Sequence, residues 1–229
     1  MKSLFYCLIL CLIFSCGKEK TVQLPEITHS KITEIHDVSP AYLFYDETMP
    51  DSIELNRKNL ISTTNWLVNV DKRLTLKQAL PKIMFLQDKK RNAEMHKNEN
   101  AKNYFTCNDT GIKNLGFIDF TNVVYHENDS HEYLNKKKPF ADQLINIKVN
   151  SIDSTYVSFI WNDTIFVHTS NQDELLDHLK SNITNEGKAI IVSEFNESLS
   201  FQDYIAYKSL LSQLDLKNVS IAQDEFVFN

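Results

Sequence analysis

Residues Leu4 to Phe14 form an unbroken apolar run, Leu-Phe-Tyr-Cys-Leu-Ile-Leu-Cys-Leu-Ile-Phe, behind the positive charge of Lys2. This run decides how much of the chain is left to fold. Eleven residues are too few for a membrane-spanning helix, which needs about 20. Their length and the preceding lysine fit the apolar core of a secretory signal. A cut just behind the run, if it fell before Cys16, would remove residues 1–15 and leave a mature chain of 214 of the 229 residues. Cys7 and Cys11 leave with the signal, so only Cys16 and Cys107 remain of the four cysteines.

The residues that close the run, Ile13-Phe14-Ser15-Cys16-Gly17, resemble the bacterial lipobox. In that pattern an aliphatic residue three before the cysteine and a small residue just before it let a lipoprotein signal peptidase cut, although Phe14 is bulkier than is usual. The resemblance implies a diacylglycerol on Cys16, usually with a third acyl chain. Each buried methylene contributes about 0.8 kcal/mol, and two or more chains anchor stably. The chain is therefore expected to be exported and held by lipid on a bacterial membrane, at the periplasmic face or the outer membrane. With Cys16 a thioether, Cys107 stands alone. An exported chain has access to disulfides, but this one must be held by its core. A hydrophobic share of 42% and an aromatic share of 11% suffice for one. Loss of Lys2 moves the formal charge from -6 to -7, which argues against nucleic acid and against attraction to anionic lipid.

Residues 16–38 read as a polar tether, 39–125 as an N-terminal α+β domain, 126–142 as a linker and 143–229 as a C-terminal α+β domain. The first domain offers strands at Ala41–Asp46 and Asn65–Val70. A capping box at Thr75-Leu76-Lys77-Gln78 follows, with a helix carrying Leu76, Leu80 and Ile83 that Pro81 is expected to kink or delay. The polar stretch Asp88 to Lys102 reads as a long exposed loop, and Leu115 to Tyr125 as one strand with Gly116 as a candidate bulge. Beyond the linker, strands are predicted at Leu144–Val149, Tyr156–Trp161 and Ile165–His168, the last two joined through Asn162-Asp163. A helix capped by Asn171, a strand at Ala189–Phe195, a helix capped by Ser200 and a closing strand within Val219–Phe228 complete the order βββαβαβ. The fold class is α+β, with small sheets covered by one or two helices.

That order from Ile145 onward resembles the periplasmic domain of the ExbD/TolR biopolymer-transport family. The residues concerned are Ala-Ile-Ile-Val-Ser-Glu-Phe at 189–195, Phe201-Gln-Asp-Tyr204 opening a helix, Leu214 and a final strand. The likeness covers about a third of the chain and rests on residue classes. It implies a module that dimerises or contacts an energising partner or the cell wall. Members of that family carry an ionisable aspartate in a transmembrane helix; Leu4 to Phe14 hold no acidic residue, so proton coupling is not implied.

No catalytic constellation, cofactor motif or metal motif is legible. His126, Glu127, Asp129, His131 and Glu132 crowd one polar segment, and imidazole with carboxylate suits a divalent ion, but the spacing fits no compact motif. His96 sits in another polar stretch, and His168 and His178 are isolated in sequence. Cys107 has no neighbouring base and reads as a small buried apolar residue. Tyr42, Phe44, Trp66, Phe159 and Trp161 are candidates for a binding face, although most of the 25 aromatics must serve the core. Three readings remain: a non-enzymatic envelope module that binds a protein partner, an envelope hydrolase, and a ligand-binding lipoprotein. All three depend on the lipid, which gives a direct test. Cells fed an alkynyl fatty acid should label the wild-type chain and not Cys16→Ser, which should leave the membrane fraction.

Overall fold

In the computed structural model, which describes residues 20–93, 98–161, 164–184 and 187–229, the chain builds two six-stranded mixed sheets. The first half contributes β1 (Glu26–Ile27), β2 (Val38–Tyr45), β3 (Ile53–Asn56), β4 (Asn65–Val70), α1 (Leu76–Arg91), β5 (Asn103–Asp109), β6 (Asn114–Asp119) and β7 (Val124–His126). The second contributes α2 (His131–Lys137), β8 (Gln143–Ser151), β9 (Ser154–Trp161), β10 (Thr164–Ser170), α3 (Gln172–Asn182), β11 (Ala189–Asn196), α4 (Phe201–Ser212) and β12 (Val219–Phe228). The order from β8 to β12 is βββαβαβ, as predicted, and the class is α+β. Among the described residues no helix is long and apolar enough to cross a membrane. Cys16 lies outside the described residues.

β5 is the hub of the first sheet. One of its edges pairs antiparallel with β6, and the other pairs parallel with β4 at Asn103–Phe105 and with β1 at Asn108–Asp109. β4 continues to β2, and β2 to the edge strand β3. In the second sheet β10, β9 and β8 form an antiparallel meander, while β8, β11, β12 and β7 run parallel. β12 is a single strand whose register against β11 shifts between Ile191 and Ser193.

Local chemistry starts each long helix. Thr75 accepts from the Gln78 backbone at 3.3 Å while the Gln78 side chain accepts from the Thr75 backbone at 2.8 Å, the reciprocal capping box. Asn171 and Ser200 cap α3 and α4 in the same sense, through Glu174 and Asp203. Pro81 does not delay α1. The helix begins at Leu76, runs through the proline and continues to Arg91, because Leu76, Ala79, Leu80, Ile83 and Leu86 are all buried along one face.

The two helix starts also serve each other. The backbone N–H groups of Leu76 and Lys77 donate to Leu199 and Glu197 carbonyls, both at 2.9 Å, and those of Phe201 and Gln202 donate to Leu74 and Lys72 carbonyls. The first turn of a helix has no partners of its own for these donors, so each helix start completes the other. The cores merge there. One continuous apolar cluster runs from Leu43, Val68 and Phe105 through Leu76 and Ile83 to Phe201, Ile147, Val157 and Phe195. The Phe201 ring meets Phe105 edge-on at 5.2 Å, and the Tyr204 ring meets Phe195 at 5.1 Å.

Several elements differ from expectation. Residues 115–125 are two strands in different sheets: an Asx turn, in which the Asp119 side chain accepts from the Thr121 backbone at 2.9 Å, stops β6, and β7 joins the second sheet beside β12. Gly116 forms no bulge. It pairs in register with Cys107, and a Cβ there would lie 2.5 Å from the Ser30 hydroxyl, so close passage of the chain requires glycine. The segment 126–142 carries the end of β7, α2 and a 3-10 turn at Lys138–Phe140. The described part of the expected tether is a strap laid along the body. Pro25 and Ile27 carbonyls accept from Asn108 and Thr110, Glu26 exchanges two hydrogen bonds with the Gln202 side chain, and the His29 carbonyl accepts from Ser209. Lys20 is pinned by Asp46 at 2.7 Å and by Glu54.

The polar stretch after Asp88 also reaches the interior. Lys90 is buried, its ammonium donating to the carbonyls of Thr64 at 3.1 Å and Lys102 at 2.7 Å and lying 5.0 Å from the Trp66 ring centroid. Burial pulls it down from 10.5 to about 8. Between pH 8 and pH 10 the folded chain therefore releases this proton before the unfolded chain does, and folding stability should rise with pH in that window. Urea midpoints measured at both ends should show the rise in the wild type and a smaller one in Lys90→Met.

Candidate functional site

The residues singled out for chemistry are dispersed by the fold. His126 sits at the end of β7 with its Nε2 2.8 Å from Asp224 and its ring 4.8 Å from that of Phe226, while Tyr133 donates to the other Asp224 oxygen at 2.9 Å. Asp129 accepts from the His131 backbone at 3.0 Å, and Glu132 pairs with Lys136 on the exposed side of α2. These are capping and surface contacts. Among the described residues no three His, Cys, Asp or Glu side chains converge as a metal site. His96 lies outside the described residues.

His168 and His178, distant in sequence, are brought together with ring centroids 4.8 Å apart, both beside Phe159. Burial and then His168 push the His178 imidazole down, and its Nε2 has no hydrogen-bond partner. Cys107 is fully buried, and burial pushes its thiol up to about 12, which leaves no thiolate at neutral pH. Among the described residues no serine, threonine or cysteine side chain hydrogen-bonds to a histidine ring. Of the five aromatics proposed for a binding face, Phe44, Trp66 and Phe159 are core residues, Tyr42 stacks on Phe44, and Trp161 is 51% exposed.

Trp161 adjoins a run of exposed apolar residues on β10. β10 is an edge strand paired only with β9. Its seven residues, Thr-Ile-Phe-Val-His-Thr-Ser, include no proline, lysine or carboxylate. Ile165, Phe166 and Val167 are 58%, 57% and 59% exposed. Because successive strand residues point to opposite faces, the strand is open on both faces as well as along its unpaired edge. Ile165 and Val167 share the face of Ile160 and Ser158, and Phe166 and His168 that of Phe159 and Val157. The sequence pattern contained the signal: a strand buried on one face alternates, and Ile165-Phe166-Val167 does not.

A second feature is an open cleft of about 630 Å³ where α1 approaches the second sheet, lined by Leu80, Pro81 and Met84 on one side and by His126, Lys148 and Phe228 on the other. The Lys148 ammonium lies 4.2 Å from the Phe228 ring centroid and 3.7 Å from the buried carboxylate of Glu194, which also accepts from Asn146 at 2.9 Å and from Ser130. On the far side of the core a smaller groove of about 300 Å³ is lined by Ile32, Phe117, Leu211 and Ile221, with Lys208 at its wall. Lys208 pairs with the buried Glu225; Glu225 accepts from Tyr204 at 2.7 Å, and the Tyr204 and Tyr125 hydroxyls are 3.1 Å apart. Tyr125 also lines the larger cleft, so one polar chain runs between the two cavities. Sequence reading missed it because its members come from three separate elements, β7, α4 and β12.

The chain matches no family model, no curated protein and no solved structure.

The polar chain depends on Lys208 to compensate Glu225, whose side chain is 2% exposed. Lys208→Met should destabilise the protein by roughly 3–5 kcal/mol, the cost of stranding a buried charge. Adding Glu225→Gln should recover most of the loss in urea unfolding.

Proposed function

We propose that this is a non-enzymatic, lipid-anchored envelope module that binds a protein partner, as an accessory of an envelope transport or energising system. The observation that carries the reading is β10. An exposed, uncharged apolar edge strand is an aggregation hazard that proteins normally blunt with charge, proline or a covering element, and β10 has none of these. Such an edge is suited to receive an extended segment of another chain, main-chain hydrogen bonds giving affinity and alternate side-chain contacts giving selectivity. The resemblance of the βββαβαβ half to the ExbD/TolR periplasmic domain supports the same class of role, with homodimerisation as one form of it. The Cys16 lipid would hold the module at the membrane.

The 630 Å³ cleft favours a second reading, a small-ligand site, since pockets of about 300–1,000 Å³ serve small molecules. A ligand that bound there would raise the melting temperature by mass action.

Photocrosslinking from position 166 in intact cells should trap a discrete partner band, and Val167→Lys should abolish it without lowering the melting temperature. Equal crosslinking from position 166 with and without Val167→Lys would sink the proposal.

A further inference from the structure

The expected lipid anchor and the first described residue are close in sequence, and this restricts which face of the body meets the membrane. Four residue steps take the chain from Cys16 to Lys20. Fully extended, they span at most ~14 Å. Lys20 is held at the edge of the first sheet by Asp46 after β2 and by Glu54 in β3, and its ammonium draws the Asp46 carboxyl down to about 2. With the acyl chains of Cys16 in a bilayer, the surface around Lys20 lies within a headgroup layer's reach of the lipid.

That surface differs from the rest of an acidic protein. Beside Glu54 lies an open concavity of about 450 Å³ lined by Leu55, Asn56, Arg57, Lys58, Leu60 and Lys89. Arg57, Lys58 and Lys89 are exposed, and among the described residues none of them forms an ion pair. The lining carboxylate, Glu54, is taken by Lys20. Lys82, Phe85 and Lys89 share one exposed face of α1, where Phe85 is 45% exposed and holds the Arg57 guanidinium 5.1 Å from its ring centroid. Asp88, the acidic neighbour on that helix, faces Arg91 at 3.8 Å.

We propose that this basic concavity is a docking surface for a bilayer of anionic lipid, with Arg57, Lys58 and Lys89 taking headgroup phosphates and Phe85 entering the interface. The inference rests on the Cys16 lipidation reading for its geometry and on charge complementarity for its occupant. Juxtamembrane cations attract anionic leaflets additively and within a Debye length, so a local patch can act although the formal charge of the mature chain is -7.

The test separates the two ideas by removing the anchor. The full mature chain carrying Cys16→Ser is co-sedimented at constant ionic strength with phosphatidylcholine vesicles and with vesicles that also contain phosphatidylglycerol. Binding to the second and not the first is expected. The variant Arg57→Glu/Lys58→Glu/Lys89→Glu should lose roughly tenfold or more in partitioning. Lys188→Glu/Lys217→Glu, also exposed, should stay within about twofold, and circular dichroism on each variant verifies the fold. Equal binding of the triple variant and wild type, or equal binding to neutral vesicles, overturns the proposal. So does full displacement by inorganic phosphate, which would mark a free-anion site. Failure of fatty-acid labelling at Cys16 would instead remove the anchor and leave the vesicle result standing.

Discussion

The four hydrogen bonds exchanged between the starts of α1 and α4 are the joint of the molecule. Each helix leaves backbone donors at its first turn that a buried setting cannot leave unpaired. Here the carbonyls just before one helix satisfy the donors of the other. This ties residues 72–77 to 197–202, places Phe201 against Phe105, and fuses the interiors of both sheets into one apolar cluster. The side-chain caps at Thr75 and Ser200 set the angle at which each chain enters, so two local sequence signals prepare a contact between distant halves.

The second half was largely legible because its elements obey simple periodicities. β9 alternates, α3 and α4 carry caps and apolar faces, and β11 opens on four apolar residues and is buried on both faces up to Phe195. The first half was less so. β5, Asn-Tyr-Phe-Thr-Cys-Asn-Asp, is buried almost throughout, yet Asn103, Thr106 and Asp109 are among its interior residues, and composition alone makes it look like a loop. Residues 119–121 end one strand by an Asx turn that leaves the apolar pattern uninterrupted, so two strands of different sheets read as one. The strap at 20–32 is polar because it lies on the surface, and its attachments are mostly backbone hydrogen bonds, which leave no mark on side-chain identity.

The candidate surfaces divide in the same way. Cys107 and most of the five aromatics proved to be core, as packing demands. The exposed edge at β10 was written in three consecutive apolar residues, whereas the Lys208–Glu225–Tyr204–Tyr125 chain joins three elements, and the basic concavity brings Lys89 of α1 to the segment 54–60. Net charge was a poor guide to the latter, since thirty carboxylates distributed over the chain leave room for a local cluster of cations.

The strap has a consequence for the order in which the molecule can form. Glu26 must find Gln202 at a sequence separation of 176, and His29 must find Ser209 at one of 180. Contacts of such separation carry the full entropy of closing the loop between them. A chain that emerges amino terminus first can therefore pair β1 with β5 early, but the Glu26 and His29 contacts stay open until α4 has emerged. The strap is fastened along its full length only when nearly the whole sequence is available, so its attachment closes the fold rather than opens it.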